Sequence, residues 1–288
     1  MKDLVIAFCL IITSNVCLAQ SRLDFYHIKS IHTAFPDSGR RSGHPYDGVL
    51  YSSEEHYSDN HVLIIVPHNF HTDTKVDLIF WFHGWNNNID SAVVRFGLTR
   101  QFEESGINAV LVLAETTKDA PDSYGGKLEQ PDTFRKLIQD VLNKLYEEKI
   151  VKKNCTSGNV ILAGHSGAYR VIAHILQNGN VPVKEVLLFD ALYAETDQFM
   201  QWLSADSDHR FINLYTDHGG TLDESQGMLR QIRDLNLSAK SVNEADLTPD
   251  IVGGNRILII HSLHGHNDII QRPDNFKLFL GGSPFLRN

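Results

Sequence analysis

The sequence predicts an α/β fold in which one mostly parallel sheet of about eight strands carries helices on both faces. Three observations predict it. Apolar runs of strand length recur at Gly48–Ser52, Asn60–Pro67, Val76–His83, Asn108–Leu113, Asn159–Ala163, Glu185–Asp190, Phe211–Thr216 and Arg256–His261. Segments with helical periodicity lie between them. The later runs are short, β-branched and almost continuously apolar, as strands covered on both faces must be.

In chain order, Met1-Lys2-Asp3 and the apolar stretch Leu4 to Val16, followed by Cys17-Leu18-Ala19-Gln20, read as a secretory signal peptide cut after Ala19. The apolar segment is shorter than the roughly 20 residues of a membrane span. Residues 20–47 are polar and contain Pro36 and Pro45, and are expected to form an N-terminal extension packed along a single domain of residues 48–288. Phe134, Leu137, Ile138, Val141, Leu142 and Leu145 form one apolar stripe on a helix opening at Pro131. Val171, Ile172, Ile175 and Leu176 form a second stripe. Thr221 followed by Glu224 has the spacing of a capping box for a helix through Met228, Ile232 and Leu235.

The composition, 42% hydrophobic and 21% charged over 288 residues, is that of a globular chain with a sizeable core. A net charge of −9 argues against a nucleic-acid or anionic-membrane binder, which needs basic stripes. Of three cysteines only Cys155 lies beyond the expected cleavage point, so the mature chain rests on its core and not on an internal disulfide. Fifteen histidines raise the question of a metal. His264-Gly-His266-Asn-Asp268 lacks the further histidine of a binuclear metallohydrolase pattern, and strand alternation would separate His61, His68 and His71. No metal or other cofactor is expected.

The most informative segment is Asn159-Val-Ile-Leu-Ala-Gly-His-Ser166-Gly-Ala168, where an apolar run meets a serine among small residues just before a helix. A nucleophilic Oγ must project from a cramped strand-to-helix turn, and bulky neighbours would collide with the adjacent backbone. Ala168 stands where the usual motif has its last glycine. A helix N-cap is the plain alternative for Ser166. Upstream, Asp77-Leu-Ile-Phe-Trp-Phe runs into His83-Gly84-Trp85-Asn86. Downstream, Arg256-Ile-Leu-Ile-Ile-His261 is followed by Ser-Leu-His264-Gly-His266-Asn-Asp268.

In these features and their order, residues 48–280 resemble the α/β-hydrolase superfamily. The resemblance implies that Ser166 is the nucleophile and that the backbone N–H groups of Trp85 and Gly167 form the oxyanion hole, each donor contributing about 3 kcal/mol to the transition state. A histidine after the last strand would be the base. His266 is preferred because it precedes what looks like the final helix, His264 is the substitute, and His261 still belongs to the strand. The acid is Asp190 or Asp217, each closing a strand. Asp190 is preferred because it ends a clean apolar run beside small Ala191, whereas Asp217 sits by His218-Gly219-Gly220.

The expected activity is that of an exported serine hydrolase, esterase- or lipase-like, acting on a small or polymer-attached ester and periplasmic or secreted. A peptidase or amidase of the same fold, or a non-catalytic binding module on this scaffold, are the alternatives. Short connections after the elbow leave little room for a large lid. The polar loop 115–131 offers Tyr124, Lys127 and Glu129 as contacts to a polar substrate, or is simply a solvated connector.

Overall fold

The computed structural model describes residues 22–72 and 74–286, so the expected signal peptide lies outside the described residues. In chain order the elements are β1 (Leu23–Lys29), β2 (His44–Tyr46), β3 (Val49–Tyr51), α1 (Ser53–His56), β4 (His61–Pro67), β5 (Lys75–Phe82), α2 (Ile89–Arg95), α3 (Leu98–Ser105), β6 (Val110–Ala114), α4 (Thr133–Glu147), β7 (Thr156–His165), α5 (Tyr169–Asn178), β8 (Val183–Phe189), α6 (Thr196–Ala205), β9 (Arg210–Thr216), α7 (Leu222–Asp234), β10 (Lys240–Asn243), α8 (Pro249–Gly254), β11 (Ile257–Ser262) and α9 (Asn275–Gly281). Among the described residues, nine strands form the main sheet in the order β1-β4-β6-β5-β7-β8-β9-β11-β10. β1 and β4 run antiparallel to their neighbours, and the pairings from β6 through β10 are parallel.

Alternation along each strand divides the core in two. On β5, Leu78, Phe80 and Phe82 pack with the stripes of α4, α5 and α7 on one face. Ile79 and Trp81 pack with α2, α3 and α9 on the other. This two-sided burial is why the central strands lack the polar alternation of a half-wet sheet.

Three expectations need correction. The run Gly48–Ser52 supplies β3, which pairs only with β2 in a separate hairpin. Residues 23–29, assigned to a packed extension, form the edge strand β1; its polar side chains face outward and masked the pattern. The short edge strand β10, also partly exposed, was not anticipated. Both misses are edge strands, where one face or one side stays wet.

Candidate active site

Parallel strands deliver their carboxyl ends to one edge of the sheet, and there the loops after β5, β7, β8, β9 and β11 meet. β7 ends at buried His165, and Ser166 then adopts φ +55° before a 3-10 turn leads into α5. An L-residue in the left-handed region costs about 1–2 kcal/mol. Two glycines make this turn possible. A Cβ on Gly84 would lie 2.5 Å from Ser166 Cβ and 3.0 Å from Gly167 N, so the β5 turn sits directly against the serine. A Cβ on Gly167 would lie 2.5 Å from Trp85 Cδ1, so the indole closes over the residue after the serine.

Asp190 follows β8, fully buried, with φ +46°. Its carboxylate accepts the Thr216 N–H at 3.0 Å, the Thr216 hydroxyl at 2.8 Å, the Thr221 hydroxyl, and His266 Nδ1 at 2.6 Å. Burial alone would raise its pKa. The bonds from His266, Thr221 and Thr216 outweigh burial and hold it below the usual carboxylate value. Asp217 is partly exposed and bonds His261 Nε2 at 2.7 Å instead. His264 is largely exposed and lies 3.8 Å from Glu244. The structure therefore pairs His266 with Asp190 and sets His261 with Asp217.

The loop carrying His266 is held at two points. His165 Nε2 donates to the His266 carbonyl at 2.8 Å, and the two rings lie 4.4 Å apart. Burial, then the neighbouring His266, pushes the His165 pKa down to about 3, which keeps this imidazole neutral. Further along, the buried carboxylate of Glu244 accepts Ser262 and Asn275, and Ser262 Oγ accepts the His264 N–H at 3.0 Å. Neither His165 nor Glu244 carried a signal of this role in the sequence, because each acts on a partner far along the chain.

His83 is buried, with Nε2 at 2.5 Å from Glu115 Oε1 and Nδ1 at 2.8 Å from the Gly84 carbonyl. Burial would lower its pKa; the Glu115 charge and hydrogen bond outweigh it and raise the pKa. Acceptors at both nitrogens fit a doubly protonated ring. The Gly84 carbonyl and the Trp85 N–H belong to one planar trans peptide, so fixing the first aims the second the opposite way.

Tyr193, three residues past Asp190, was missed by sequence reasoning. Its hydroxyl donates to the Gly219 carbonyl, and its ring packs edge-on to His266 at 6.4 Å. Burial, reinforced by the Asp190 charge, pushes its pKa up to about 12, so it stays protonated.

The loop after β6 corrects another expectation. Tyr124 Oη donates to Asp37 at 2.7 Å, Lys127 Nζ to the Ile31 carbonyl at 2.6 Å, and buried Glu129 accepts Arg170 Nε at 2.7 Å and the Gly125 N–H at 2.8 Å. These polar atoms are engaged within the protein, so the three residues build the loop and do not offer themselves to a substrate. The Thr221 and Glu224 capping box does not close either, since Glu224 accepts the Thr196 hydroxyl at 2.8 Å.

No protein-family model matches the chain, and no curated protein matches it. Solved structures do share its fold. A ferulic acid esterase aligns with 91% of this chain and 98% of its own at a TM-score of 0.57 and 9% identity. A bacterial heroin esterase covers 95% of this chain and 87% of its own, with a TM-score of 0.52 and 12% identity. The feruloyl esterase module of Clostridium thermocellum gives a TM-score of 0.52 at 9% identity, covering 90% of this chain and 96% of its own. The chain has the α/β-hydrolase fold.

Proposed function

We propose that this chain is an acyl-ester hydrolase in which Ser166 is the nucleophile, His266 the general base, Asp190 its partner, and the Trp85 and Gly167 N–H groups the oxyanion donors. The observation that carries the reading is the buried, multiply bonded Asp190 gripping His266 Nδ1, with His266 packed on His165, the residue before a serine on a left-handed turn. Holding Nδ1 protonated leaves Nε2 free to accept the Ser166 proton as Oγ attacks the acyl carbonyl. Negative charge then builds on the carbonyl oxygen beside the two N–H groups. Collapse of this adduct breaks the ester C–O bond, and the departing alcohol takes the proton from His266. Water, deprotonated by His266, repeats the attack on the acyl-enzyme and releases the acid and Ser166. Ester over amide cleavage is favoured by the esterases that share the fold. The N-terminal segment is read as an export signal, and the N-terminal residue of protein recovered outside the cytoplasm tests that reading.

Hydrolysis of 4-nitrophenyl acetate and butyrate tests the assignment. Ser166→Ala should abolish turnover, and Asp190→Asn should lower kcat by about 10³–10⁴ while Asp217→Asn stays within about twofold of wild type. Equal losses at Asp190 and Asp217 would contradict it.

A further inference from the structure

We propose that Trp85 and Tyr46 form an aromatic platform for the acyl side of the substrate, and that the preferred ester carries a planar aromatic ring on its acyl group. This rests on the hydrolase reading above. The topology decides which side of the scissile bond the platform serves. His266, Asp190 and Tyr193 lie on the β8, β9 and β11 side of Ser166, which follows β7. Trp85 and Ser123 reach it from the opposite, β5 and β6 side. The leaving oxygen must lie beside His266 to receive its proton, so the acyl group extends toward Trp85.

Of the three tryptophans, Trp81 is 1% and Trp202 8% exposed, whereas Trp85 is 42% exposed at the edge of the site. It is nevertheless fixed. Nε1 donates to Ser123 Oγ at 2.7 Å, the indole edge abuts Gly167, and the Tyr46 ring packs against it at 5.4 Å and 76°. Tyr46, itself 43% exposed, is delivered by the β2–β3 hairpin. That hairpin is tied to the loop after β6, because Tyr51 packs on His56 and His56 Nδ1 donates to the Lys118 carbonyl at 2.8 Å. Arg40 stacks over Tyr124 at 4.6 Å and bonds Asp122 at 2.6 Å, anchoring the same segment. An anchored hairpin that ends in an exposed ring against a second exposed ring is a built surface.

A cleft between Thr116, Tyr124, Gly167 and Val171, on the far side of Ser123 and Gly167 from the Trp85 indole that they touch, holds about 10 Å³, room for about one water. An acyl group cannot enter it, so a long alkyl chain gains no tunnel there. The two platform rings stand at a steep angle, which a flat ring meets by stacking on one and packing edge-to-face with the other.

The test uses acetyl, cyclohexanecarbonyl and benzoyl esters with one shared leaving group, each rate divided by that ester's alkaline hydrolysis rate. Wild type should favour benzoyl over cyclohexanecarbonyl about tenfold in kcat/KM, with the difference largely in KM. Tyr46→Leu and Trp85→Ala should each lower that ratio about fivefold, and Tyr46→Phe and Trp85→Phe should keep most of it. A fluorophosphonate adduct on Ser166 is measured for every protein. An adduct with a wild-type ratio near one, or with a ratio unmoved in Tyr46→Leu and Trp85→Ala, overturns the platform and leaves the hydrolase reading standing. Neither adduct nor turnover in folded wild type overturns both.

Discussion

Thr221 donates its hydroxyl to Asp190 instead of closing the first turn of α7. A side chain placed by sequence to cap a helix is thus diverted to a carboxylate 31 residues away. Hydrogen bonds to a charged acceptor contribute about 1.5–3 kcal/mol, more than a neutral cap bond.

Thr221→Val should therefore cost about 2 kcal/mol of stability at pH 7 and raise the Asp190 pKa toward the ordinary carboxylate value. Because the folded pKa of Asp190 is lowered, its contribution to stability is complete above the unfolded carboxylate pKa and is lost as pH falls through the folded one. The variant should lose less on acidification than wild type. Urea unfolding at pH 7 and at about pH 2.5, below the unfolded carboxylate pKa, measures both effects, and parallel losses for the two proteins would contradict the assignment.

His165→Gln tests the clamp on the His266 carbonyl. The folded pKa of His165 is about 3, against about 6.5 in the unfolded chain, so the unfolded state binds an extra proton as pH falls below about 6.5. Wild-type stability should fall with a slope of about 1.4 kcal/mol per pH unit from this residue. Between pH 7.5 and pH 5 wild type should lose about 2 kcal/mol more than His165→Gln in paired unfolding measurements. Glutamine can still donate to the carbonyl, so it should retain more ester turnover than His165→Leu, which is expected to fall about tenfold.

Breaking the His83–Glu115 pair should be costly because it strands a buried group. Glu115→Gln is expected to destabilise the fold by about 3 kcal/mol, measured by chemical denaturation. Looser control of the Gly84–Trp85 peptide should also slow acylation by about tenfold, measured by stopped-flow release of 4-nitrophenol.

Gly84→Ala should separate geometry from stability. Its Cβ would meet Ser166 Cβ at 2.5 Å, so the elbow or the β5 turn must move. Turnover should fall at least about 100-fold, since displacement of about 1 Å at a reacting centre has that effect. Circular dichroism should remain that of the folded protein; wild-type turnover would refute the close approach.

Much of this arrangement is legible in the sequence for a physical reason. Strands such as Leu78–Phe82 and Val186–Phe189 are buried on both faces, so their apolar runs are continuous and their ends mark the sheet edge where the candidate site lies. Ser166, with its small neighbours, follows from the same logic. Edge strands β1 and β10 were not legible, since an edge tolerates Asp24, His27 and Lys240 in outward positions. Sequence preferred Asp190 to Asp217 only on its apolar run and small neighbour. Both close apolar strands, and what separates them is long-range: Thr216, Thr221 and His266 converge on the first, and His261 occupies the second. The internal partners of Tyr124 and Lys127, Asp37 and Ile31, lie 87 and 96 residues away and left no local pattern to read.

Intact-mass spectrometry of the protein after treatment with a fluorophosphonate shows whether Ser166 is an activated nucleophile. Wild type should carry one adduct, mapped to Ser166, with none on Ser166→Ala and strongly slowed labelling of His266→Ala. Folded wild type that stays unlabelled, or an adduct that persists in Ser166→Ala, would contradict that role.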